Sequence, residues 1–132
     1  MKKYLLEVTE EQLQLIADCV EDIHRFMSGQ CMLANSVSML DNFNEVRRKL
    51  DELKPLVTPQ LSANESYSWN GSGCPNKSQQ KFIAKTYGIY REILHVLITE
   101  RCKPGDFNVY LEPTLTCKDS LPLPTITRID EE

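Results

Sequence analysis

The longest run of apolar positions at helical spacing lies between Gln79 and Ile98. Its main stripe consists of Ile83, Tyr87, Tyr90, Leu94 and Leu97, and a second flank of Phe82, Ile89, Ile93 and Val96 widens it. Because most of the circumference is then apolar, the pattern predicts a central helix that is covered on more than one side. Pro75 and Ser78 suit the start of this helix, since proline presets φ and serine can cap free N–H groups.

A second amphipathic pattern follows Thr9. Thr9 and Gln12 have the spacing of a capping box, which predicts a helix beginning at this point. Its apolar positions alternate in steps of three and four: Leu13, Ile16, Val20, Ile23 and Met27. Gly29 ends this helix or marks a close approach before a further helical stretch, Cys31 to Leu40.

A third amphipathic helix is predicted around Phe43 to Val57. Its apolar face is formed by Phe43, Val46, Leu50, Leu53 and Val57, while its outer face carries both signs of charge. Mixed charges of this kind usually form a solvated face. Pro55 and Pro59 are expected to end the helix.

Three segments near the chain ends resemble strands. In Lys3 to Val8, polar and apolar positions alternate. Asn108 to Thr116 is predicted as a strand that Pro113 interrupts. Thr125 to Ile129, which follows a proline pair, is predicted as a last short strand. The predicted fold is a single α+β domain over residues 1–132, with three to four helices packed on a small sheet formed by N- and C-terminal strands. So small a sheet favours completion by a second chain, and we expect a homo-oligomer, either a dimer or a multiple of dimers.

The loop Trp69 to Lys77 is the first candidate for a ligand site. It is rich in glycine and asparagine, and it leads directly into the central helix. A helix start binds phosphates and carboxylates through free N–H groups and the helix dipole. Lys77, Lys81 and Lys85 crowd this positive end, so a bound anion would relieve their repulsion. The alternative is that these lysines only keep an exposed face soluble.

The candidate ligand-binding residues each have a chemical reason and an ordinary structural alternative. Trp69 can stack on a base, asparagine amides can read polar edges, cations can neutralise phosphates, and threonine hydroxyls can donate hydrogen bonds. Arg91, deep in an apolar helix, needs an anionic or aromatic partner, which is more often an internal carboxylate than a ligand. Arg25 either contacts ligand or compensates the dipole at the end of the first helix. The full predicted set is Arg25, Gln30, Trp69, Asn70, Asn76, Lys77, Lys81, Arg91, Thr114 and Thr116.

Composition narrows the possible functions. A net charge of −4 disfavours nonspecific binding to duplex nucleic acid. The chain has no apolar run long enough to span a bilayer and no signal peptide, which favours the cytoplasm. Its five cysteines lack metal-ligand spacing and are expected to be reduced, so neither a metal nor a cofactor is predicted.

No motif of a known enzyme class is present. Cys74, close to a predicted helix start, could act as a nucleophile with His24 or His95 as its base. A loop cysteine beside glycine and proline more often has no catalytic role, so the chain is predicted not to be an enzyme.

A family resemblance adds to this interpretation. It is carried by Glu-Asp-Ile-His-Arg-Phe-Met-Ser-Gly-Gln from Glu21, Trp-Asn-Gly-Ser-Gly-Cys-Pro-Asn from Trp69, and Lys-Phe-Ile-Ala-Lys-Thr-Tyr-Gly-Ile-Tyr-Arg-Glu-Ile from Lys81, with Asn-Val-Tyr and Thr-Leu-Thr-Cys near the end. The chain resembles small bacteriophage-encoded proteins over most of its length and is similar to the first class of Thoeris anti-defence proteins. Those proteins are oligomeric sponges that sequester cyclic ADP-ribose isomers, and in some cases cyclic oligonucleotides, without cleaving them.

The resemblance implies a phage anti-defence protein in the host cytoplasm whose partner is a small nucleotide signal. It transfers no individual binding residue to this chain. A protein–protein inhibitor or structural phage protein is the alternative, with Trp69 in an interface. An enzyme that degrades nucleotide signals has the least support.

Overall fold

Four α-helices and one 3₁₀ turn form the regular secondary structure of the computed structural model, which describes residues 1–30 and 33–129. They are α1 (Glu10–Met27), α2 (Ala34–Val37), α3 (Phe43–Val57), α4 (Lys77–Arg101) and the turn Val109–Leu111. Within those residues the chain forms no strand, so the predicted α+β fold is wrong and the architecture is all-helical.

The predicted N-terminal strand fails because it has no neighbour. Tyr4, Leu5 and Leu6 are 89%, 105% and 76% exposed, so this segment neither pairs with another nor packs on the helices. A strand depends on a partner for its backbone N–H and carbonyl groups. An alternating pattern of six residues cannot supply that partner.

The two predicted C-terminal strands are also wrong. Asn108 accepts a hydrogen bond from the Tyr110 N–H through its side chain and so begins the 3₁₀ turn. The carbonyls of this stretch then accept hydrogen bonds from Arg91 on α4. A side chain therefore takes the place of a neighbouring strand. Thr125 to Ile129 has no regular secondary structure.

The core lies between α1 and α4. Ala17 on α1 is fully buried against a cluster of α4 side chains that includes Tyr87, Tyr90, Ile93 and Leu94. Ten residues of α4 are buried, which confirms the prediction of a central helix covered on several sides. The helix is central because the loop 69–77, the turn 109–111 and α1 all pack around it.

The predicted start of α1 is confirmed in detail. The Thr9 hydroxyl accepts a hydrogen bond from the Gln12 N–H at 3.1 Å, and the Gln12 side chain accepts one from the Thr9 N–H at 2.8 Å. This reciprocal pair is a complete capping box, worth about 1 kcal/mol of helix stability.

Other predicted helix ends differ from those observed. Helix α4 begins at Lys77 with Asn76 as its cap, because the Asn76 side chain accepts from the Gln79 N–H at 3.0 Å. Ser78 therefore lies inside the helix. Helix α3 continues through Pro55 and ends at Val57. Of the predicted stretch Cys31 to Leu40, residues 31 and 32 lie outside the described residues, and only Ala34–Val37 of the remainder is α-helical.

Helix α3 is attached mainly at its C-terminal end. None of its residues is buried, although its apolar stripe is half covered. The Lys54 ammonium donates hydrogen bonds to the carbonyls of Ala63, at 3.2 Å, and Glu65. These bonds tie α3 to the connection that leads into the loop before α4. None of the helices in the described ranges is long and apolar enough to cross a bilayer.

Candidate functional site

A cleft of about 690 Å³ opens where the loop before α4, the first turns of α4 and the turn at residues 117–119 meet. We call it the lysine cleft. Three lysines and one carboxylate line it, together with polar and small residues. The lining residues are Asn70, Ser72, Gly73, Cys74, Pro75, Lys77, Gln80, Lys81, Cys117, Lys118 and Asp119.

The loop wall of the lysine cleft is pinned to α4 by specific bonds. The Asn70 side chain accepts from the Ser68 hydroxyl at 2.7 Å and from the Ser72 N–H at 3.0 Å. Its backbone carbonyl accepts from the Gln80 amide at 2.8 Å. Three hydrogen bonds on one residue give the loop a fixed shape before any ligand arrives.

Gly71 explains how the loop comes so near the helix. Its φ is +72°, and a Cβ there would lie 2.8 Å from the Gln80 carbonyl oxygen. Glycine is thus required for the close approach of the loop backbone to α4. The predicted reason for a glycine-rich loop was approach to a ligand, whereas at this position the neighbour is the protein's own backbone.

The lysines of the cleft have no partner in the part of the chain that the structure describes. Lys77, Lys81 and Lys118 are exposed, and across residues 1–30 and 33–129 none of their ammonium groups makes a hydrogen bond or ion pair. Asp119 is the one carboxylate in the lining. Three unpaired positive charges near the positive end of the α4 dipole make this cleft an electrostatically favourable place for an anion.

Two of the predicted residues near the cleft have structural roles. Trp69 is half-buried and packs on Tyr87, with the ring centroids 4.9 Å apart and the planes tilted by 45°. Asn76 caps α4. Neither lines the cleft, so a stacking role for Trp69 and a ligand contact by Asn76 remain predictions.

Other predicted residues gather in a second group, between the C-terminal part of α1 and the middle of α4. Arg25 forms an ion pair with Glu21 at 2.9 Å and donates to the Gln30 side chain at 2.8 Å. The Tyr110 hydroxyl lies 3.4 Å from Glu21 Oε2, and the Arg91 guanidinium lies 5.0 Å from the centre of the Tyr110 ring. We call Glu21, Arg25, Gln30, Arg91 and Tyr110 the arginine cluster.

Arg91 holds the C-terminal segment against α4. It is 7% exposed, and its guanidinium donates to the carbonyls of Val109, Glu112 and Tyr110 at 2.9, 3.0 and 3.3 Å. Its hydrogen-bond partners are backbone carbonyls, which the sequence interpretation did not include, while the Tyr110 ring is an aromatic partner of the predicted kind. Contact between Arg91 and a ligand stays a prediction.

The two predicted threonines lie on that C-terminal segment. The Thr114 hydroxyl donates to Glu92 Oε1 at 2.8 Å, whereas Thr116 is exposed. Thr114 thus helps to fix the segment. The structure brings Asn70, Lys77 and Lys81 together in the cleft, and it brings Arg25, Gln30 and Arg91 together in the arginine cluster.

Burial shifts the ionisation of groups around the arginine cluster. Burial lowers the pKa of His24 to about 4, although its hydrogen bond with the Ile83 carbonyl partly opposes this shift. Burial also raises the pKa of Tyr110, and the neighbouring Glu21 carboxylate adds to that shift. At neutral pH, His24 is therefore neutral and the tyrosine keeps its proton, so the charges of this cluster are those of Glu21, Arg25 and Arg91.

The candidate nucleophile and its candidate bases do not line the same cleft. Cys74 and Cys117 line the lysine cleft, but His24 and His95 do not. His24 Nδ1 lies 2.9 Å from the Ile83 carbonyl, and His95 Nδ1 lies 2.7 Å from the Tyr110 carbonyl. The described residues contain no group of three histidine, cysteine, aspartate or glutamate side chains placed to hold a metal ion.

The site prediction missed the turn at residues 117–119. Lys118 and Asp119 line the cleft although they lie about 40 positions from its other lysines along the chain. No periodicity connects a turn to a distant helix start, so only the folded path of the C-terminal segment reveals the contact. Gln80 could have been identified as a site residue from the sequence, because it lies one helical turn after Asn76, which was itself predicted.

Comparisons with protein-family models, with curated proteins and with solved structures found no match to this chain. The functional proposal therefore depends on the geometry and charge of the lysine cleft and on the resemblance in the sequence.

Proposed function

We propose that the protein binds a small phosphate-bearing nucleotide in the lysine cleft and sequesters it without cleavage. The observation that carries this proposal is a cleft of about 690 Å³ lined by three exposed lysines that have no partner among residues 1–30 and 33–129. That volume lies within the range of about 300–1,000 Å³ common for small-molecule sites.

The chemistry of the cleft suits phosphate and sugar groups. Lysine ammoniums bind phosphate as point charges, and Ser72 and Gln80 add polar groups beside them. The loop wall is already fixed by the hydrogen bonds of Asn70. A preformed wall reduces the ordering cost of binding, which a protein that must compete with a receptor needs.

The ligand class follows from the resemblance to Thoeris anti-defence proteins. It comprises cyclic ADP-ribose isomers and cyclic oligonucleotides, both of which carry phosphates. In this proposal the chain is a phage anti-defence protein that acts as a homo-oligomer in the host cytoplasm. It retains the signal intact, since sequestration needs cations and a shaped pocket but no nucleophile.

Calorimetry tests the ligand class directly. The full chain is titrated with cyclic ADP-ribose isomers and with cyclic di- and trinucleotides, and we expect saturable binding of at least one. Ligand released by heat denaturation should be chemically intact. Absence of both binding heat and thermal stabilisation for every compound would reject the proposal, and recovery of hydrolysis products would replace a sponge with an enzyme.

Matched lysine variants test the site. Lys81→Ala and Lys118→Ala each remove one cation from the cleft and should weaken binding about fivefold or more, since an exposed charge-assisted contact contributes roughly 1 kcal/mol. Lys85→Ala is the control, because Lys85 is an exposed lysine of the same helix that does not line the cleft. Equal effects at Lys85 and Lys81 would indicate attraction by overall charge and would contradict a specific site.

A protein–protein inhibitor is the second candidate. Many large apolar side chains are exposed, among them Leu5 at 105%, Leu56 at 80% and Phe107 at 95%. If these side chains form a contiguous patch, that patch would be a surface for a protein partner. Binding of nucleotide signals by the isolated chain separates the two candidates.

A further inference from the structure

The turn at residues 117–120 carries two opposite charges into the lining of the lysine cleft. Its ends are joined by two hydrogen bonds: the Ser120 N–H donates to the Cys117 carbonyl at 3.0 Å, and the Cys117 N–H donates to Ser120 Oγ at 2.9 Å. Lys118 and Asp119 are the two central residues of this turn, and both line the cleft. The cation and the carboxylate therefore lie on adjacent residues of a backbone with a defined shape.

Contacts on both sides of the turn fix its position relative to α4. Before the turn, the Thr114 hydroxyl donates to Glu92 Oε1 at 2.8 Å. After the turn, Leu123 lies against Gly88, where an added Cβ would be 3.4 Å from Leu123 Cδ2, and Ile126 packs on the core between α1 and α4. The turn is thus held in place as one wall of the cleft that the lysines of α4 also line.

Asp119 has no partner among the described residues, although three lysines line the same cleft. The residue is half-buried, and across residues 1–30 and 33–129 it makes no hydrogen bond or ion pair. No fully buried side-chain oxygen or nitrogen in that part of the chain lacks a partner, so the carboxylate oxygens of Asp119 are accessible. They are available to accept hydrogen bonds from a ligand in the cleft.

A carboxylate in a cleft lined by cations restricts the ligand. The lysines attract anionic groups, whereas Asp119 repels a phosphate placed beside it and accepts hydrogen bonds from donors. In a ribonucleotide the sugar hydroxyls lie next to a phosphate, so an adjacent carboxylate and cation match an adjacent hydroxyl and phosphate. Dinucleotide-binding proteins also use an acidic side chain to accept a hydrogen bond from a ribose 2′-hydroxyl.

We propose that Asp119 accepts a hydrogen bond from a ribose hydroxyl while Lys77, Lys81 and Lys118 bind the neighbouring phosphate. This inference rests on the proposed function and narrows its ligand class to ribonucleotides, as against deoxyribonucleotides and inorganic phosphates. An amino group of the base is the other donor that a nucleotide offers. That group lies across the sugar from the phosphate, whereas Lys118 and Asp119 are consecutive residues, so the ribose hydroxyl is the better match.

Two matched probes test this selectivity. Cyclic di-AMP with two 3′,5′ linkages has one free hydroxyl on each ribose, beside a phosphate, and its 2′-deoxy analogue lacks both hydroxyls but keeps the phosphates and bases. Calorimetry on the full chain should show about tenfold tighter binding of the ribose form, since hydrogen bonds to a charged group are strong enough for that discrimination. Equal affinity for the two forms would overturn the inference and leave nucleotide binding standing.

A failure to bind cyclic di-AMP is also informative. The contacts proposed for Asp119 and the lysines involve only the phosphate and sugar that all ribonucleotides share. If a cyclic ADP-ribose isomer binds and cyclic di-AMP does not, this inference is therefore rejected while the proposed function stands. If no nucleotide binds at all, the proposed function is rejected and this inference falls with it.

Variants of Asp119 separate a hydroxyl contact from a general effect of charge. Asp119→Ala should bring the preference for the ribose form close to one, by weakening cyclic di-AMP, and should tighten the binding of pyrophosphate a few fold because a repulsion is removed. Asp119→Asn suits the turn equally well and should lower the preference to a few fold, which guards against a folding defect in the alanine variant.

Asp51→Asn is the matched control for charge. Asp51 is an exposed aspartate of α3 that does not line the cleft, so this variant should keep the tenfold preference. If Asp119→Ala instead tightened cyclic di-AMP, its deoxy analogue and pyrophosphate by a common factor, Asp119 would act through its charge alone and the proposed hydroxyl contact would be wrong.

Discussion

The lysine cleft and the arginine cluster each include cations of α4, but the surroundings of those cations differ. In the arginine cluster, Arg25 is paired with Glu21, and Arg91 donates to three carbonyls. In the lysine cleft, the ammonium groups of Lys77, Lys81 and Lys118 have no partner among the described residues.

This difference separates stability from binding capacity. A buried cation such as Arg91, whose guanidinium already donates to three carbonyls, contributes to the fold and has fewer donors left for a ligand. An exposed cation without a partner contributes little to folding but can bind an anion from solution. The same charge therefore has two uses on one helix, decided by burial and by the carbonyls within reach.

Loss of Arg91 should have the largest effect on stability. Arg91→Ala leaves three carbonyls without their donor and detaches the C-terminal segment from α4, so we expect the free energy of unfolding to fall by about 4 kcal/mol. Urea denaturation measures this change, and calorimetry on the folded fraction should give nearly unchanged affinity for nucleotide. A tenfold loss of affinity with the stability retained would instead assign Arg91 to the binding site.

His24 should make stability depend on pH. Its pKa is about 4 in the folded chain and 6.5 in the unfolded chain. Above pH 6.5 the imidazole is neutral in both states and stability is highest. As pH falls from 6.5 to 4, only the unfolded chain gains this proton, so about 3 kcal/mol of stability is lost, with little further change from His24 below pH 4.

A His24 variant isolates this contribution from that of the carboxylates. His24→Gln keeps a donor for the Ile83 carbonyl but cannot titrate. The difference in unfolding free energy between wild type and variant should therefore shrink steadily from pH 7 to pH 4. Parallel curves over that range would show that His24 is not held neutral by burial.

Substitution of two glycines in the loop that forms the cleft wall should have a smaller effect on stability and tests whether this loop is rigid. Gly71→Ala should destabilise the protein by about 2 kcal/mol, because it adds a clash with the Gln80 carbonyl to the strain of a positive φ. Gly73→Ala, at φ +89° with nothing within 4 Å of the added Cβ, should cost only the backbone strain of about 1 kcal/mol. Equal losses in thermal unfolding would mean that the loop can move away from α4.

The helical part of the fold was predictable because its signals are local. The capping box of Thr9 and Gln12 and the broad apolar stripe of α4 are both confirmed. The apolar spacing and the capping of a helix depend on residues a few positions apart, so both can be recognised in the sequence alone.

The strands and most of the site depended on distant contacts. The segment Lys3 to Val8 has the alternation of a strand but no neighbouring backbone, and the carbonyls of residues 109, 110 and 112 were taken by Arg91. Asn70, Lys77 and Lys81 could be chosen from the loop pattern, whereas Lys118 joins them only through the path of the C-terminal segment. Contacts between residues far apart in the sequence determine these features, and the periodicity of apolar positions does not show such contacts.

The packing of α1 on α4 also has a consequence for how the chain can vary in length. These two helices form the core, yet the whole stretch from residue 28 to residue 76, including α3 with no buried residue, lies between them. Closing such a loop costs conformational entropy that grows only with the logarithm of its length, about 0.6 kcal/mol for each doubling. Insertions or deletions around α3 should therefore be tolerated thermodynamically, whereas the loop 69–76 at the end of the same connection is held against α4 and should tolerate few changes.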